Sequence, residues 1–436
     1  MKLLKNIFFI ALVALALAIV HTKLNKHLLT KRNQKTINTL FELAKQTRPA
    51  AFGEPQQEPF LEIAKQIEST LPDYTKDNDI NKTIIHFLDK TLEIKITDQQ
   101  IQQVPAGPAG GFSGNLIFFI NDKNKKPFLV VKIFKDPYNA ESFGGFVMEA
   151  SAFDIASTFP NKELNCISIK SVGKCTIDTK DFAIMALSLA PGINLHDYII
   201  QIIPCPQESA LRIETFNKVQ KSMYKFGKAL AELHTTHIGS KNTLHPAFKK
   251  YILKSYRKML KRLQKDNPGI NISRFKTCFN SLLDKVENQK VVRSFAYGDA
   301  HLGNFLYEPQ TGTMTIIDLA SLHLSADRNG NPISTAALDY SRIPDTFSIY
   351  TRFGLTQNES DTLMKAFRKG YQDNNGTVPT QLEMTFFKLF NDVWLTGFLL
   401  KQIEKKSAFV DEGFKKVTEY NIEQIKKTIE NYEKNS

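Results

Sequence analysis

The sequence predicts an α+β chain of two lobes preceded by a helical stretch. Three observations lead there. At 436 residues the chain is longer than a usual single domain and can bury more than one core. From about residue 94 to 189, short β-branched and apolar runs alternate with turns, whereas from 190 onward apolar residues recur mainly at helical spacing. Within that helical half, Ser294–Leu322 breaks the pattern with two short apolar runs around a turn.

Composition narrows the class. Hydrophobic residues make up 42% and charged residues 23%, the balance of a globular chain rather than a disordered one. Lys and Arg outnumber Asp and Glu by 57 to 44, a net charge of +13. That excess favours phosphate-bearing or anionic-membrane partners over polycations, with a lysine-rich solvated surface as the plain alternative. The four cysteines, Cys166, Cys175, Cys205 and Cys278, lack metal-ligand spacing. Cys166 and Cys175 would face each other across a hairpin turning near Lys170 and Ser171; otherwise they are small buried hydrophobes.

Residues 1–34 read as a hydrophobic signal or anchor segment. Lys2 and Lys5 precede the unbroken apolar run Ile7 to Val20, which has the length of a signal-peptide core and is short for a bilayer span. Ala16-Leu17-Ala18 offers a cleavage site. Lys23, Lys26, Lys31, Arg32 and Lys35 make the downstream flank the more positive one, which opposes translocation of the remainder of the chain. Secretion and a signal anchor therefore both stand, and the side of the membrane is open.

Residues 35–93 form a helical extension, with Ile37, Leu40, Phe41 and Ala44, then Phe60, Ile63, Ala64, Ile67 and Leu71 at helical spacing and breaks at Pro49, Gly53, Pro55 and Pro72. A strand-rich region, 94–189, opens with Leu92–Ile96 and Ile101–Val104. A loop from Pro105 to Gly114 comes after these strands, rich in glycine at Gly107, Gly110, Gly111 and Gly114. Strands over Asn115–Ile120 and Phe128–Phe134 come next. A glycine loop between strands lets backbone N–H groups approach phosphates, although most such loops only turn the chain. Lys132 interrupts the apolar run Val130–Ile133, and a buried ammonium needs an anionic partner. In the next helical segment Glu149 lies at the edge of the apolar face and Glu141 opposite it, so Glu149 is the better partner.

Phe182–Leu189 is a further strand and Ala190–Leu195 a linker. The helical region 190–436 starts with a long pattern from Ser209 to His237, and His234 near its end reads as a structural histidine. Ala247–Gln264 carries Lys249, Lys250, Lys254, Arg257, Lys258, Lys261 and Arg262 without an acid, behind an apolar stripe. No nucleic-acid motif accompanies it, so this face is a solvated helix or one that meets membranes or anionic partners.

In Ser294–Leu322 the runs Phe305–Glu308 and Met314–Ile317 are strands, and Pro309, Thr311 and Gly312 form the turn. Closing that hairpin sets Asn304 beside Asp318, an amide oxygen and a carboxylate that suit Mg²⁺ with a phosphorylated substrate. Asp299 reaches the same pocket from upstream. Tyr297-Gly298-Asp299-Ala300-His301-Leu302-Gly303-Asn304 followed by Ile316-Ile317-Asp318 resembles the catalytic core of the aminoglycoside phosphotransferase and choline kinase family, relatives of the protein kinases. Where that family usually has His two residues before its catalytic Asp, this chain has Tyr297.

The resemblance, over about residues 100–400, implies a bilobal protein-kinase-like fold. It implies an ATP- and Mg²⁺-dependent kinase acting on an alcohol group of a small molecule. Asp299 would be catalytic and Asn304 and Asp318 metal ligands; Lys132, braced by Glu149, would bind nucleotide phosphates under Gly110, Gly111 and Gly114. Asp339, in Ala336–Tyr340, would cap a helix or brace the catalytic loop. Two other readings keep the same core: an inactive kinase-like binding protein tethered to a membrane, and a secreted protein kinase. The acids after Asp339 are scattered among lysines, so a neutral or anionic hydroxyl acceptor, or a protein side chain, fits better than a polycationic drug.

Overall fold

The computed structural model describes residues 28–48, 57–76, 78–105, 115–135, 145–267, 271–405 and 412–434. In chain order these form α1 (28–45), α2 (Gln57–Thr70), α3 (Ile80–Leu92), β1 (Ile101–Val104), β2 (Leu116–Asn121), β3 (Pro127–Lys135), α4 (Phe146–Ala156), β4 (Leu164–Cys166), β5 (Ile169–Ile177), β6 (Lys180–Ser188) and β7 (Ile193–Asn194). Next along the chain are α5 (Leu195–Ile200), α6 (Ala210–Thr235), β8 (Lys241–Asn242), α7 (Pro246–Asp266), α8 (Ile272–Gln289), β9 (Val291–Val292), β10 (Phe305–Glu308) and β11 (Thr313–Ile316). The chain closes with α9 (Ala337–Tyr340), α10 (Ile343–Thr351), α11 (Gln357–Asp373), α12 (Gln381–Glu404) and α13 (Glu412–Lys434). The fold is α+β, and the described residues form two compact units: those within 28–44, 61–147 and 168–189 in one; those within 45–60, 148–167 and 190–434 in the other. Residues 1–27 lie outside the described residues, and among the described residues no helix is long and apolar enough to cross a membrane.

The first unit is built on an antiparallel sheet of order β1-β2-β3-β6-β5. The β2–β3 turn is held by Asp122, whose carboxylate accepts from the backbone N–H groups of Asn124 and Lys126 at 2.8 and 2.9 Å. Ile84, Phe87 and Leu88 of α3 share a core with Phe118, Leu129, Val131 and Ile133. Because side chains alternate along a strand, Lys132 is on the opposite face of β3 from that core, together with Phe134. Lys132 is buried nonetheless, with Nζ 5.2 Å from the Phe134 ring centroid.

Two expectations fail here. Leu92–Ile96 is not a strand. Helix α3 runs to Leu92, Glu93 turns the chain in the left-handed region at φ 55°, and the sheet begins at Ile101. Cys166 and Cys175 do not share a hairpin either: Lys170 and Ser171 lie inside β5, while Cys166 ends β4 in a different sheet. All four cysteines are free, and burial pushes the Cys166 and Cys175 thiols up to about 12, away from reactive thiolate.

The second unit centres on helices. A four-stranded sheet, β4-β11-β10-β7, carries the β10–β11 hairpin. Helices α7, α8 and α12 enclose a core in which Tyr256 stacks on Phe279 and Phe279 packs against Phe386. Helix α6, capped by Ser209, crosses α11 closely. At one end Arg212 grips Glu359 through Nε and Nη2 at 2.8 and 2.7 Å. In the middle, Gly227 and Gly370 admit the facing backbone: a Cβ on Gly227 would lie 2.1 Å from the Phe367 carbonyl oxygen, and one on Gly370 would lie 1.9 Å from that of Tyr224. This crossing sets the end of α6, and so His234.

Gly227→Ala therefore forces the two helices apart. Overpacking of this kind costs about 1–3 kcal/mol, against the helix-propensity gain of roughly 1 kcal/mol that alanine brings elsewhere. A lowered melting temperature of the full chain is expected in thermal circular dichroism. An unchanged or raised value would mean that the close crossing is not rigid.

Candidate active site

The hairpin builds the site by topology. Phe305 pairs with Ile316 and Glu308 with Thr313, and Gly312, at φ 71°, closes the turn with its N–H on the Glu308 carbonyl at 2.8 Å. At the open end the Ile317 N–H donates to the Asn304 carbonyl at 2.9 Å, so Asn304 and Asp318 leave the hairpin side by side. Asp318 takes a left-handed conformation, φ 54° and ψ 61°, which turns its exposed side chain out of the strand line.

Upstream, Gly298 needs its positive φ of 79° for the loop to turn into Asp299. Asp299 is held from two sides. Arg342 Nη1 donates to Asp299 Oδ1 at 3.0 Å and to the Gly298 carbonyl at 3.2 Å. Asn304 Nδ2 donates to Asp299 Oδ2 at 3.3 Å and to the Asp299 carbonyl at 3.2 Å. With its amide nitrogen so engaged, Asn304 presents Oδ1 as its acceptor. His301 stands 3.6 Å from Oδ2.

Two buried residues brace the loop. Asp339, in α9, accepts from the Tyr297 N–H at 2.6 Å, the Gly298 N–H at 2.7 Å and His234 Nε2 at 3.0 Å. It is a brace and not a helix cap, since Ala336 holds the cap position. Tyr297 is fully buried, and its hydroxyl donates to the carbonyls of Ile317 and Asp318 at 2.8 and 2.7 Å. Burial, with the carboxylates of Asp318, Asp299 and Asp339 adding to it, pushes that phenol well above its ordinary value, so it stays a donor.

Asp299, Asn304 and Asp318 thus come together in one loop and hairpin end. Lys132 and Glu149 are both buried, in β3 and in the first turn of α4. Gly110, Gly111 and Gly114 lie outside the described residues. Arg342 was not anticipated from the sequence. Its signal was its spacing, three residues beyond Asp339, which puts it near the same face of that helical turn.

Among the described residues no group of three or more His, Cys, Asp or Glu side chains is placed to hold a metal. The donor set at the hairpin end is an exposed carboxylate, Asp318, and an amide oxygen, Asn304. Oxygen donors of that number fit Mg²⁺, which keeps waters and takes substrate phosphates for the rest of its shell.

No protein-family model matches the chain, and no curated protein matches it in sequence. It is similar in structure to aminoglycoside phosphotransferases and choline kinases. The choline kinase LicA from Streptococcus pneumoniae is 14% identical at a TM-score of 0.46, over 81% of this chain and 99% of that one. An aminoglycoside 2'-phosphotransferase solved with GDP is 14% identical at 0.43, over 82% and 99%. A glucosamine kinase is 12% identical at 0.44, over 74% and 81%. At such identities the likeness is one of fold.

Tyr297→Phe removes the hydroxyl that joins the loop to the hairpin end. A single hydrogen bond contributes about 0.5–1.5 kcal/mol net, so urea unfolding should shift by about that amount with an unchanged slope. An unchanged midpoint would mean that the two carbonyls find other donors at no loss.

Proposed function

We propose that the chain is a kinase: an ATP- and Mg²⁺-dependent phosphotransferase that moves the γ-phosphoryl group to a hydroxyl of a small molecule. The observation that carries this is the convergence of Asp299, Asn304 and Asp318 at one hairpin end, with Asp299 oriented by Arg342 and Asn304. Phosphoryl transfer asks mainly for positioning and charge neutralisation, which carboxylates, an amide and a buried lysine supply.

Asp299 orients the acceptor hydroxyl and takes its proton as the acceptor oxygen bonds to the γ-phosphorus. The bond from that phosphorus to the oxygen bridging it to the β-phosphate breaks, and ADP leaves with that oxygen. Asn304 and Asp318 are assigned to the metal, which when bound neutralises charge on the phosphates. Lys132 is assigned to the nucleotide phosphates. The similar aminoglycoside phosphotransferase was solved with GDP, so the nucleotide test should include GTP beside ATP.

Asp318→Ala is expected to abolish Mg²⁺-dependent turnover of ATP. Asp299→Asn should keep nucleotide binding and lose turnover by about 10²-fold or more. Lys132→Ala should weaken nucleotide binding and slow turnover together. Coupled-assay kinetics and equilibrium nucleotide binding separate these effects, and full activity of Asp318→Ala would overturn the assignment.

We further propose that residues 1–34 direct the protein to a membrane system, on the strength of their basic, apolar, basic order. Fractionation should find the full chain with membranes and a chain beginning at Lys35 in the soluble fraction. Equal solubility of the two would remove the segment's role as an address.

A further inference from the structure

Two helices of the second unit, α7 and α12, carry a charge pattern that begins beside Asp299. Helices α7 and α12 pack in parallel and in register. Phe248 lies against Phe387 and Tyr251 against Phe390, with ring centroids 6.3 and 6.4 Å apart. Further along, a Cβ on Gly397 would lie 2.7 Å from Met259 Cβ, and Lys265 reaches Glu404 at 2.5 Å. Each helix presents one row at i, i+4, i+7 and i+11: Tyr251, Ser255, Lys258 and Arg262 on α7, and Trp394, Phe398 and Lys401 on α12 with its C-cap Lys405. Both rows are aromatic at one end and cationic at the other.

The aromatic end is the end at Asp299. Arg342 lies 5.9 Å from the Trp394 ring centroid while holding Asp299 Oδ1 at 3.0 Å. Arg342 and Asp299 are also among the charges acting on Tyr251. At the far end Lys258, Arg262 and Lys405 act on Lys401, which burial and those like charges push below its ordinary value. The carboxylate there, Glu404, is bound more closely by Lys265, at 2.5 Å, than by Arg262, at 3.7 Å.

Such a seam is unfavourable for an ammonium-bearing acceptor. Arg342 already occupies the neighbourhood of the Trp394 face where a cation would be attracted, and four more cations stand beyond it. An anion at the far end would relieve the mutual repulsion of Lys258, Arg262, Lys401 and Lys405.

We infer that the acceptor is an elongated hydroxyl compound bearing a phosphate, sulfate or carboxylate, laid along the α7–α12 seam with its hydroxyl at Asp299 and its anion at Lys258, Arg262 and Lys401. Seven residues of helix separate Trp394 from Lys401, so the anion is about 10 Å along the seam from Trp394, which Arg342 links to Asp299. The inference rests on the phosphotransferase reading of Asp299 for what happens to the hydroxyl. The seam itself does not depend on that reading.

Binding of trehalose 6-phosphate and of trehalose to the full chain without nucleotide, measured by calorimetry, tests the seam. The phosphorylated probe should bind at least tenfold tighter. The difference should vanish in the Lys258→Gln/Lys401→Gln double variant, persist in Lys401→Arg, and persist in Lys132→Ala, which rules out the nucleotide site as its source. Because the double variant removes like-charge repulsion, its melting temperature should equal or exceed the parent's. Equal binding of the two sugars, or an advantage that survives in the double variant, overturns the inference. If ATP turnover depends on Asp318 while the phosphorylated sugar has no advantage, the seam fails and the kinase stands. If the sugar advantage is present and no nucleotide binds, the kinase fails and the seam stands. Tighter binding of choline or kanamycin than of the sugar phosphate would also overturn it.

Discussion

The site depends on one buried carboxylate. Asp339 is inaccessible to solvent and divides its oxygens, Oδ1 taking the Gly298 N–H and Oδ2 taking the Tyr297 N–H and His234 Nε2. A carboxylate removed from water without such donors would cost several kcal/mol, so the fold must deliver all of them. They come from separate stretches: His234 from the end of α6, the two backbone groups from the loop before Asp299. Since a carboxylate only accepts, His234 Nε2 is the donor to Asp339, and on its other side Nδ1 meets the Tyr371 hydroxyl 2.8 Å away. The α6–α11 crossing that Gly227 permits is therefore tied to the loop before Asp299 through a histidine with no exposed surface to speak of. It works as architecture.

The features legible in the sequence were local or topologically forced. The hairpin was legible because β-branched and aromatic runs flank turn residues, and the observed strands begin and end within a residue of the expected ones. The placement of Asn304 and Asp318 is a consequence, because two strands of equal length must return to one end. Tyr297 was legible only as a departure from a familiar motif. Its compensation, one hydroxyl shared by two carbonyls some twenty residues away, needed coordinates. Arg342 was missed for the same reason: its partner Asp299 is 43 residues distant, and its spacing from Asp339 marks a helical turn without naming that contact.

The misread strand at Leu92–Ile96 has a physical lesson. Its apolar alternation is real burial, since Ile96 belongs to the α3–sheet core and Ile94 packs against it. The chain there is an irregular return after a left-handed turn at Glu93, and alternation alone does not separate that from a strand. The supposed cysteine hairpin failed differently. Strand β4 pairs in parallel with β11, far along the chain, and that pairing removes Cys166 from its sequence neighbours. Neither partner could be inferred from spacing.

The carboxylate of Asp299 also has a defined division of labour. Oδ1 is held by Arg342 at 3.0 Å, a charge-assisted bond of ordinary length. Oδ2 has only longer neighbours, Asn304 Nδ2 at 3.3 Å and His301 Nε2 at 3.6 Å. A hydroxyl donor would therefore find its stronger unsatisfied acceptor in Oδ2, on the side of the carboxylate that faces Asn304. Asn304 then connects two tasks, since its amide nitrogen positions Asp299 while its amide oxygen is the one assigned to the metal. Rotation of that amide would weaken both at once. Because its own carbonyl is fixed by the Ile317 N–H at the open end of the hairpin, the short β10–β11 ladder holds Asp299 Oδ2 and Asn304 Oδ1 in one frame.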